Sequence, residues 1–400
     1  MPHTVWQFRH PTKLIFGPDS LGQLGVEAAR LGARIMLVTY RDRTGLEDVV
    51  GRVSAELRRG GLEIVEFAEI EPDPLESTGR RGAEVARAER VEVVVGVGGG
   101  SAMDAAKGIA ALAVSDGIPW DFSRCNPDRR SFARALPIIA IPTTAGTGSE
   151  MTSTAVFSHP GRDLKAAIVD PALFPAVALV DPCLMVGAPP RLTAYCGMDA
   201  LGQCLEAYIS RSTNPISQSV AVSGFRRLWA RLPAAVERGS DLEARTEVAL
   251  GATLSGIAIS HGGTCVAHSM SHAVGALLHL HHGLGVAIST LPMLRYCVET
   301  HAELIASFGT AVGVCGAGQA PRAAAEAFIA GVAAFLERLS VPQTLELGPG
   351  RGDAASWAER LTENAFRSTP AAVANTPREV TREAMQQLFK KLLAGSPSKP

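Results

Sequence analysis

A carboxylate, an amide and two imidazoles in this 400-residue chain have residue types and spacing suited to metal binding. Asp199 and Gln203 lie four residues apart, so a helix would present both on one face. His268 and His282 follow in a second segment. If helices carrying the two segments face each other, the four side chains converge on one divalent cation such as Fe²⁺ or Zn²⁺. Chain order alone does not prove that convergence.

Histidines are concentrated in the same part of the chain. Six of the ten lie between residues 261 and 282, and His272 follows His268 by one helical turn. We interpret His279 and His281 as ordinary core or surface residues, because a lone histidine is more often satisfied by its surroundings than ligating. For the other histidines of the cluster, the close spacing favours a metal site as the alternative to that ordinary interpretation.

A glycine-rich turn follows a strongly apolar segment. Residues 91–98 have the pattern of a buried strand, and Gly98, Gly99, Gly100 and Ser101 connect it to a helical pattern. Backbone amides at such a turn can approach a pyrophosphate, and the helix dipole favours its charge. The spacing of Ser101 and Asp104 predicts a capping pair that stiffens the turn. Alternatively, the glycines serve only tight strand–helix packing.

A second loop of small and hydroxyl-bearing residues follows the predicted strand at 136–144. It contains Thr143, Thr144 and Thr147, whose hydroxyls could donate hydrogen bonds to phosphate. Because the carboxyl ends of parallel strands share one edge of a sheet, two such loops predict a nucleotide crevice.

The end of the predicted strand at 33–40 bears on the choice of dinucleotide. Tyr40 stands where a doubly wound fold usually presents the residue that meets the adenosine ribose, and Arg41 and Arg43 follow it. Guanidinium groups suit a 2′-phosphate, so we expect NADP(H) to be accepted, and a preference for NADP(H) over NAD(H) is left open. The alternative is that both arginines merely solvate a surface turn.

The predicted secondary structure that would position these residues differs between the two halves of the chain. Strand patterns at 33–40, 62–70, 91–98, 136–144, 166–170 and 176–181 alternate with helical patterns in the first half. After Pro182 helical spacing dominates, with a helix start at Pro190. The prediction is an α/β N-terminal dinucleotide-binding domain (parallel sheet with flanking helices), residues 1–185, plus an all-α C-terminal metal and substrate domain, residues 186–400.

Composition excludes several classes of partner. Lys and Arg total 38 against 39 Asp and Glu, so no chain-wide basic field exists to hold nucleic acid or a membrane surface. No apolar stretch reaches the length of a membrane span, and no signal peptide is evident. The seven cysteines are dispersed and form no CxxC pair, which is typical of reduced thiols. We expect a cytoplasmic protein with a small-molecule substrate.

These motifs together resemble the group III, iron-containing (metal-dependent) alcohol dehydrogenase family in order and approximate spacing. The similarity spans nearly the whole chain. It rests on GGGSAMDAAK (98–107), PTTAGTGSEMT (142–152), LKAAIVDP (164–171), VDP (180–182), PPRLTAYCGMDAL (189–201), HSMSHAVGALLHLHHG (268–283) and ANTPREVTREAM (374–385).

The resemblance implies hydride transfer between NAD or NADP and a small alcohol or aldehyde in a cleft between the two domains, and a homo-oligomer such as a dimer. It assigns His272 to proton relay, with orientation of the site as the alternative. It also implies a set of cofactor contacts, namely Gly98, Gly99, Ser101, Thr143, Thr144, Thr147 and Lys165.

One ligand position departs from the family pattern. The family usually places a histidine four residues after the aspartate, whereas this chain has Gln203. A glutamine oxygen can bind a divalent ion but is a poorer donor than imidazole, so weaker metal retention is expected. Loss of the metal, as in the related maleylacetate reductases, which act on an activated keto acid, is an alternative. A catalytically silent nucleotide-binding sensor on the same fold is another.

Overall fold

Eight strands are present in the described residues of the computed structural model, which are 5–316, 318–348 and 353–393. Three central strands, β4, β5 and β8, are fully buried, and β2 is buried except at its ends, as expected for a sheet covered on both faces. The strands are β1 (Lys13–Phe16), β2 (Arg34–Tyr40), β3 (Glu63–Ile70), β4 (Val93–Gly98), β5 (Ile138–Pro142), β6 (Thr154–His159), β7 (Leu164–Val169) and β8 (Val177–Val180).

Six of these strands form one parallel sheet in the order β1-β8-β5-β4-β2-β3. The strands predicted at 33–40, 62–70, 91–98, 136–144 and 176–181 are confirmed as members of this sheet. The predicted strand at 166–170 also exists, but as β7 it pairs with β6 in a separate antiparallel hairpin. β1 and β6 were not predicted, because one is only four residues long and the other has polar residues at several positions.

Helices flank the sheet and then form the whole second half of the described chain. The predicted helix start at Pro190 is confirmed, and Asn214 and Asp241 cap the next two helices with their side-chain oxygens. The helices are α1 (Leu24–Ala29), α2 (Glu47–Arg59), α3 (Glu76–Ala88), α4 (Gly100–Leu112), α5 (Pro190–Ile209), α6 (Pro215–Glu237), α7 (Leu242–Gly262), α8 (Val266–Leu278), α9 (His282–Ala311), α10 (Pro321–Arg338), α11 (Ala354–Ser368), α12 (Pro370–Asn375) and α13 (Arg382–Leu393).

The predicted fold class is confirmed: an α/β N-terminal region with a parallel sheet precedes an all-helical C-terminal region. α5 is buried along nearly its whole length and lies between α6, α7 and α9, so it is the central helix of the second region. The division at residue 185 stays a prediction. Within the ranges that the structure describes, no helix combines the length and apolar character needed to cross a membrane.

The two regions approach each other closely at a pair of glycines. Gly148 follows β5 with φ +60°, and a Cβ added to it would lie 2.5 Å from the Cα of Gly256 on α7. A Cβ added to Gly256 would in turn lie 2.8 Å from the Cα of Gly148. Because backbone rather than flexible side chain fills this space, no side chain fits at either position.

We expect Gly256→Ala to destabilise the protein, since the new methyl group must push the loop around Gly148 away from α7. Overpacking of this kind costs about 1–3 kcal/mol, measurable as a lower thermal unfolding midpoint. Gly51→Ala is the matched control, because Gly51 is exposed on α2 and a Cβ there would contact nothing within 4 Å. A Gly256→Ala midpoint equal to that of Gly51→Ala would contradict the packing argument.

Candidate functional site

The glycine turn at residues 98–101 and the loop at residues 143–152, which we call the threonine loop, lie side by side at the carboxyl edge of the sheet. Thr143 donates its amide to the carbonyl of Gly98 at 2.9 Å. A Cβ on Gly99 would lie 3.1 Å from Thr144 Oγ1, and one on Gly100 would lie 2.7 Å from Thr147 Cγ2. The glycines therefore allow the two loops to form one crevice with the hydroxyls beside the start of α4.

A buried lysine fastens the threonine loop to α4. Lys107 is fully buried, and its ammonium donates to Ser149 Oγ at 2.7 Å, Thr152 Oγ1 at 3.1 Å and the carbonyl of Thr154 at 2.8 Å. Burial lowers the pKa of Lys107 to about 8, against the opposing effect of Asp104 and Glu150. These hydrogen bonds hold the threonine loop in a fixed position relative to α4.

The predicted capping role of Asp104 is wrong. Its carboxylate accepts hydrogen bonds from Ser149 Oγ at 2.6 Å and from the amide of Val156 at 2.9 Å, while α4 has no side-chain cap at its first residue. Ser101 Oγ instead accepts from the amide of Asp73 at 3.2 Å. Asp104 therefore supports the threonine loop from the α4 side, and its contribution to cofactor binding stays a prediction.

Lys165 and Tyr40 reach the crevice from other strands. Lys165 on β7 forms an ion pair with Asp73, Nζ to Oδ1 at 2.6 Å, beside the start of α4. The Tyr40 side chain turns inward over the glycine turn rather than outward to solvent. Arg43, expected to be available for a 2′-phosphate, forms an ion pair with Glu66.

Asp199, His268 and His282 converge, as predicted; we call them the metal triad. One ligand atom from each lies within 4.8 Å of the other two. Asp199 Oδ1 lies 3.4 Å from His268 Nε2 and 3.7 Å from His282 Nε2. Asp199 Oδ1 and His268 Nε2 are buried without a hydrogen-bond partner. Unpaired buried polar atoms are costly, and a divalent cation between them would satisfy both.

Both imidazoles are oriented through their other ring nitrogen. Glu206 on α5 contacts His268 Nδ1 and also accepts the amides of Cys265 and His268. Ser271 Oγ lies 3.1 Å from His282 Nδ1. Each Nε2 is thereby left to face Asp199, the arrangement seen around metal-binding histidines. Sequence reasoning missed Glu206, although its position two turns after Asp199 on the same helix face was a usable signal.

Charge around the metal triad favours a cation. Burial lowers the pKa of His268, but the carboxylates of Glu206 and Asp199 outweigh it and raise the value to about 10. Burial opposes ionisation of Asp199, but His282 and His268 hold the pKa of its carboxyl below the usual value. Burial lowers the pKa of His282 to about 4. The site therefore carries two carboxylates and one exchangeable proton on His268.

Gln203 lies beside the metal triad and joins it to the threonine loop. Its amide nitrogen donates to the carbonyl of Thr147 at 3.2 Å, and its oxygen accepts from Ser255 Oγ at 2.7 Å. Exchanging the two amide atoms would oppose two carbonyl oxygens, so the observed orientation is the favourable one. An amide oxygen has two lone pairs, and one remains after the bond to Ser255.

His272 lies next to the metal triad, with its ring centroid 5.5 Å from that of His282. Burial and the neighbouring His282 and Lys165 lower its pKa well below the usual value. His279 and His281 are exposed and lie outside the triad, consistent with the interpretation given above.

Two family profiles match the chain, one in each of its two regions. Residues 11–182 match the sequence profile of the family described as iron-containing alcohol dehydrogenase, and residues 193–393 match the C-terminal profile of the Fe-containing alcohol dehydrogenase family.

Individual relatives align over almost their full length. The NAD-dependent methanol dehydrogenase of Bacillus methanolicus is 31% identical, covering 96% of this chain and 98% of its own. The 1,3-propanediol dehydrogenase of Citrobacter freundii is 32% identical, covering 98% and 99%. The crystal structure of an archaeal halo-thermophilic alcohol dehydrogenase from a Red Sea brine pool superposes with a TM-score of 0.91 at 29% identity, covering 98% of this chain and 100% of that one. The chain therefore belongs to the iron-containing alcohol dehydrogenase family.

Proposed function

We propose that this protein interconverts an alcohol and an aldehyde or ketone by hydride transfer to or from NAD(P), assisted by a divalent metal. The observation that carries the proposal is the metal triad, with its unpaired Asp199 Oδ1 and His268 Nε2, next to a crevice of glycines and threonines. Family membership supports the same reaction, since the relatives named above are NAD-dependent or alcohol-oxidising enzymes.

Residues at the crevice fit a dinucleotide. A Cβ on Gly98 or Gly100 would collide with a neighbouring side chain, and one on Gly99 would be tightly packed, so only glycine lets another group approach the backbone closely at the start of α4. Asp104 supports this arrangement indirectly through Ser149. The residues proposed to line the dinucleotide are Tyr40, Gly98, Gly99, Ser101, Thr143, Thr144, Thr147 and Lys165.

Donors around Asp199 fit a borderline divalent ion such as Fe²⁺ or Zn²⁺. We assign Asp199, His268 and His282 as its ligands, with Gln203 offering the free lone pair of its amide oxygen. When bound, the cation supplies Lewis acidity to a substrate oxygen, and the dinucleotide supplies the hydride acceptor or donor.

The chain's own residues hold these groups in place and manage protons. Glu206 and Ser271 fix the rings of His268 and His282, and Lys165 neutralises Asp73 at the mouth of the crevice. His272 lies beside His282 and its buried Nδ1 has no hydrogen-bond partner, so an acceptor is available for a proton relay. Because its pKa is lowered, His272 would pass the proton on rather than hold it at neutral pH. His282 has 27% of its side chain exposed, which leaves the triad open on one side to a small substrate.

The two alternatives are less well supported. A metal-independent keto-acid reductase would leave the buried oxygen of Asp199 unpaired, and the relatives named above are alcohol dehydrogenases. A silent sensor would have no use for imidazoles aligned by Glu206 and Ser271. We further propose a homo-oligomer such as a dimer and a reducing, cytoplasmic location, the latter supported by seven unpaired cysteines in the described residues.

Activity is tested by following absorbance at 340 nm while the protein reduces small aldehydes with NADH or NADPH. We expect turnover that is lost after dialysis against a chelator and restored by Fe²⁺ or Zn²⁺, because the metal ligands alone cannot polarise the substrate. Asp199→Ala should abolish the restoration. Activity that survives removal of bound metal, verified by elemental analysis, would instead support the metal-independent alternative.

Metal binding should release one proton near neutral pH. His268 binds a proton with a pKa of about 10 in the metal-free protein and must lose it to ligate, whereas His282, at about 4, has none to lose. Below pH 10 the apparent affinity for Zn²⁺ should therefore rise about tenfold per pH unit. The number of protons released is measured by titrating Zn²⁺ into the metal-free protein in a calorimeter at pH 7.0–8.5. The titration is repeated in buffers of different ionisation enthalpy, because the observed heat changes with the buffer in proportion to the protons released.

Glu206→Gln is the variant that tests the origin of this proton. Removing the carboxylate lowers the pKa of His268 and loosens its ring, so we expect a flatter pH dependence and about 10- to 100-fold weaker Zn²⁺ binding at pH 8.5. Glu243→Gln, which alters an exposed ion pair with Arg231, is the matched control. An unchanged proton count in Glu206→Gln would sink the assignment of Glu206.

Gln203→His should strengthen metal retention, because imidazole is a better donor than an amide oxygen. We expect at least a tenfold lower dissociation constant for Zn²⁺ by calorimetry and more metal bound after purification. Gln218→His is the control, since Gln218 also donates to a backbone carbonyl but lies on α6, away from the triad. Equal affinity in the wild-type and Gln203→His proteins would mean that position 203 does not reach the ion.

A further inference from the structure

Tyr40 ends β2, and its side chain lies directly across the glycine turn. The ring atom Cε2 is 2.7 Å from where a Cβ on Gly98 would be, and the hydroxyl is 3.1 Å from where a Cβ on Gly99 would be. Gly98 has φ +147°, a conformation that side chains rarely adopt. The phenol therefore fills the space that the absence of two side chains leaves free at the start of α4.

The hydroxyl oxygen interacts with donors at the N-terminus of α4. The backbone amides of Gly99 and Ala102 and the hydroxyl of Ser101 act on it and favour its ionised form. Burial nevertheless raises the pKa of Tyr40 to about 12, so the phenol is neutral at working pH. Amides in the first turn of a helix have no partner within the helix, and they are the groups that bind a phosphate there.

The same hydroxyl also faces the threonine loop. A Cβ on Gly99 would lie 3.1 Å from both Tyr40 Oη and Thr144 Oγ1, so these two oxygens share one side of the turn. Tyr40 thus lies within the crevice between the two loops. A dinucleotide that follows both loops has to pass the same place.

We propose that the Tyr40 hydroxyl occupies the position of the cofactor pyrophosphate and must turn out of the crevice before NAD(H) or NADP(H) can bind. This inference rests on the proposed function, since it takes the glycine turn as the pyrophosphate site. Tyr40 then sets cofactor affinity through competition for the amides, and it does so for both dinucleotides because the pyrophosphate is common to them.

The Tyr40 hydroxyl and a cofactor phosphate can replace each other at the amides of α4. A neutral phenol oxygen is a weaker acceptor than a charged phosphate oxygen, so the cofactor displaces it, but the displacement reduces the net binding energy. Tyr40 is the last residue of β2 and the next residue, Arg41, is exposed, so the phenol lies at the edge of the sheet, near solvent. With the phenol turned inward and Arg43 paired with Glu66, neither side chain is committed to the ribose 2′ position.

The test compares Tyr40→Phe with the wild-type protein by titrating NADH and NADPH and following nicotinamide fluorescence. Loss of the hydroxyl removes one competitor for the amides, so both dissociation constants should fall by about three- to tenfold. Tyr208→Phe is the matched control, because it removes a hydroxyl bonded to Ser307 in the helical region. Unchanged binding, weaker binding, or a gain for only one dinucleotide would overturn the proposal.

A second measurement observes the side chain itself. With fluorotyrosine incorporated, the ¹⁹F resonance of Tyr40 is assigned by its absence in Tyr40→Phe, and NAD⁺ is then added. We expect the resonance to move toward that of a solvent-exposed tyrosine; a resonance that stays in place at saturation overturns the proposal. If the wild-type protein binds neither dinucleotide, the proposed function has failed, which is distinct from cofactor binding that ignores Tyr40.

Discussion

The buried carboxylate of Asp199 is the constraint around which the helical region is organised. An ionised carboxylate inside a helix bundle is costly unless charges and hydrogen bonds compensate it, and its Oδ1 has no hydrogen-bond partner. Two imidazoles face that oxygen, and a second carboxylate, Glu206, stands behind one of them. A proton on His268 leaves one negative charge uncompensated, whereas a divalent cation in its place neutralises both carboxylates. The electrostatics of the cluster thus match a divalent ion better than a proton.

The threonine loop connects the helix that carries Asp199 to the cofactor crevice. Lys107 and Asp104 fix the loop from the α4 side. On the opposite side Gln203 holds the carbonyl of Thr147, and α7 approaches through Gly256. Because helices of both regions contact the same loop, packing of that loop contributes to the distance between the crevice and the metal triad. Hydride transfer requires a fixed spacing between the two bound groups.

Sequence patterns predicted the architecture well wherever local periodicity carried the signal. The buried strands are nearly continuous apolar runs, and Pro190 marks a helix start, so these elements were predictable from adjacent residues. The short strand β1 and the pairing of β7 were not, because four residues carry little periodicity and pairing partners are set by tertiary contacts. Convergence of Asp199, His268 and His282 followed from helical spacing and family resemblance together.

At Asp104 and Tyr40 the structure differs from the sequence expectation for one reason, which is that a polar side chain can bind a distant partner in place of a local one. Asp104 had the local spacing of a cap yet bonds with Ser149 and Val156, far along the chain. Tyr40 was expected to face a ribose and instead lies over Gly98, since a phenol can bury its ring there and a carboxylate could not. The pKa of His272 is depressed because burial dominates, and spacing conveys nothing about burial depth.

With glutamine in place of the family's usual histidine, position 203 is a weaker metal ligand but makes more hydrogen bonds to neighbouring residues. Imidazole has two ring nitrogens, so a histidine that ligates through one of them keeps a single group for a second partner. The amide of Gln203 contacts Thr147 and Ser255 at once and still has a lone pair directed elsewhere. α5, which carries Asp199, is thereby joined to the threonine loop by a direct hydrogen bond. Under the proposed ligand set, metal retention and loop position would depend on the same side chain.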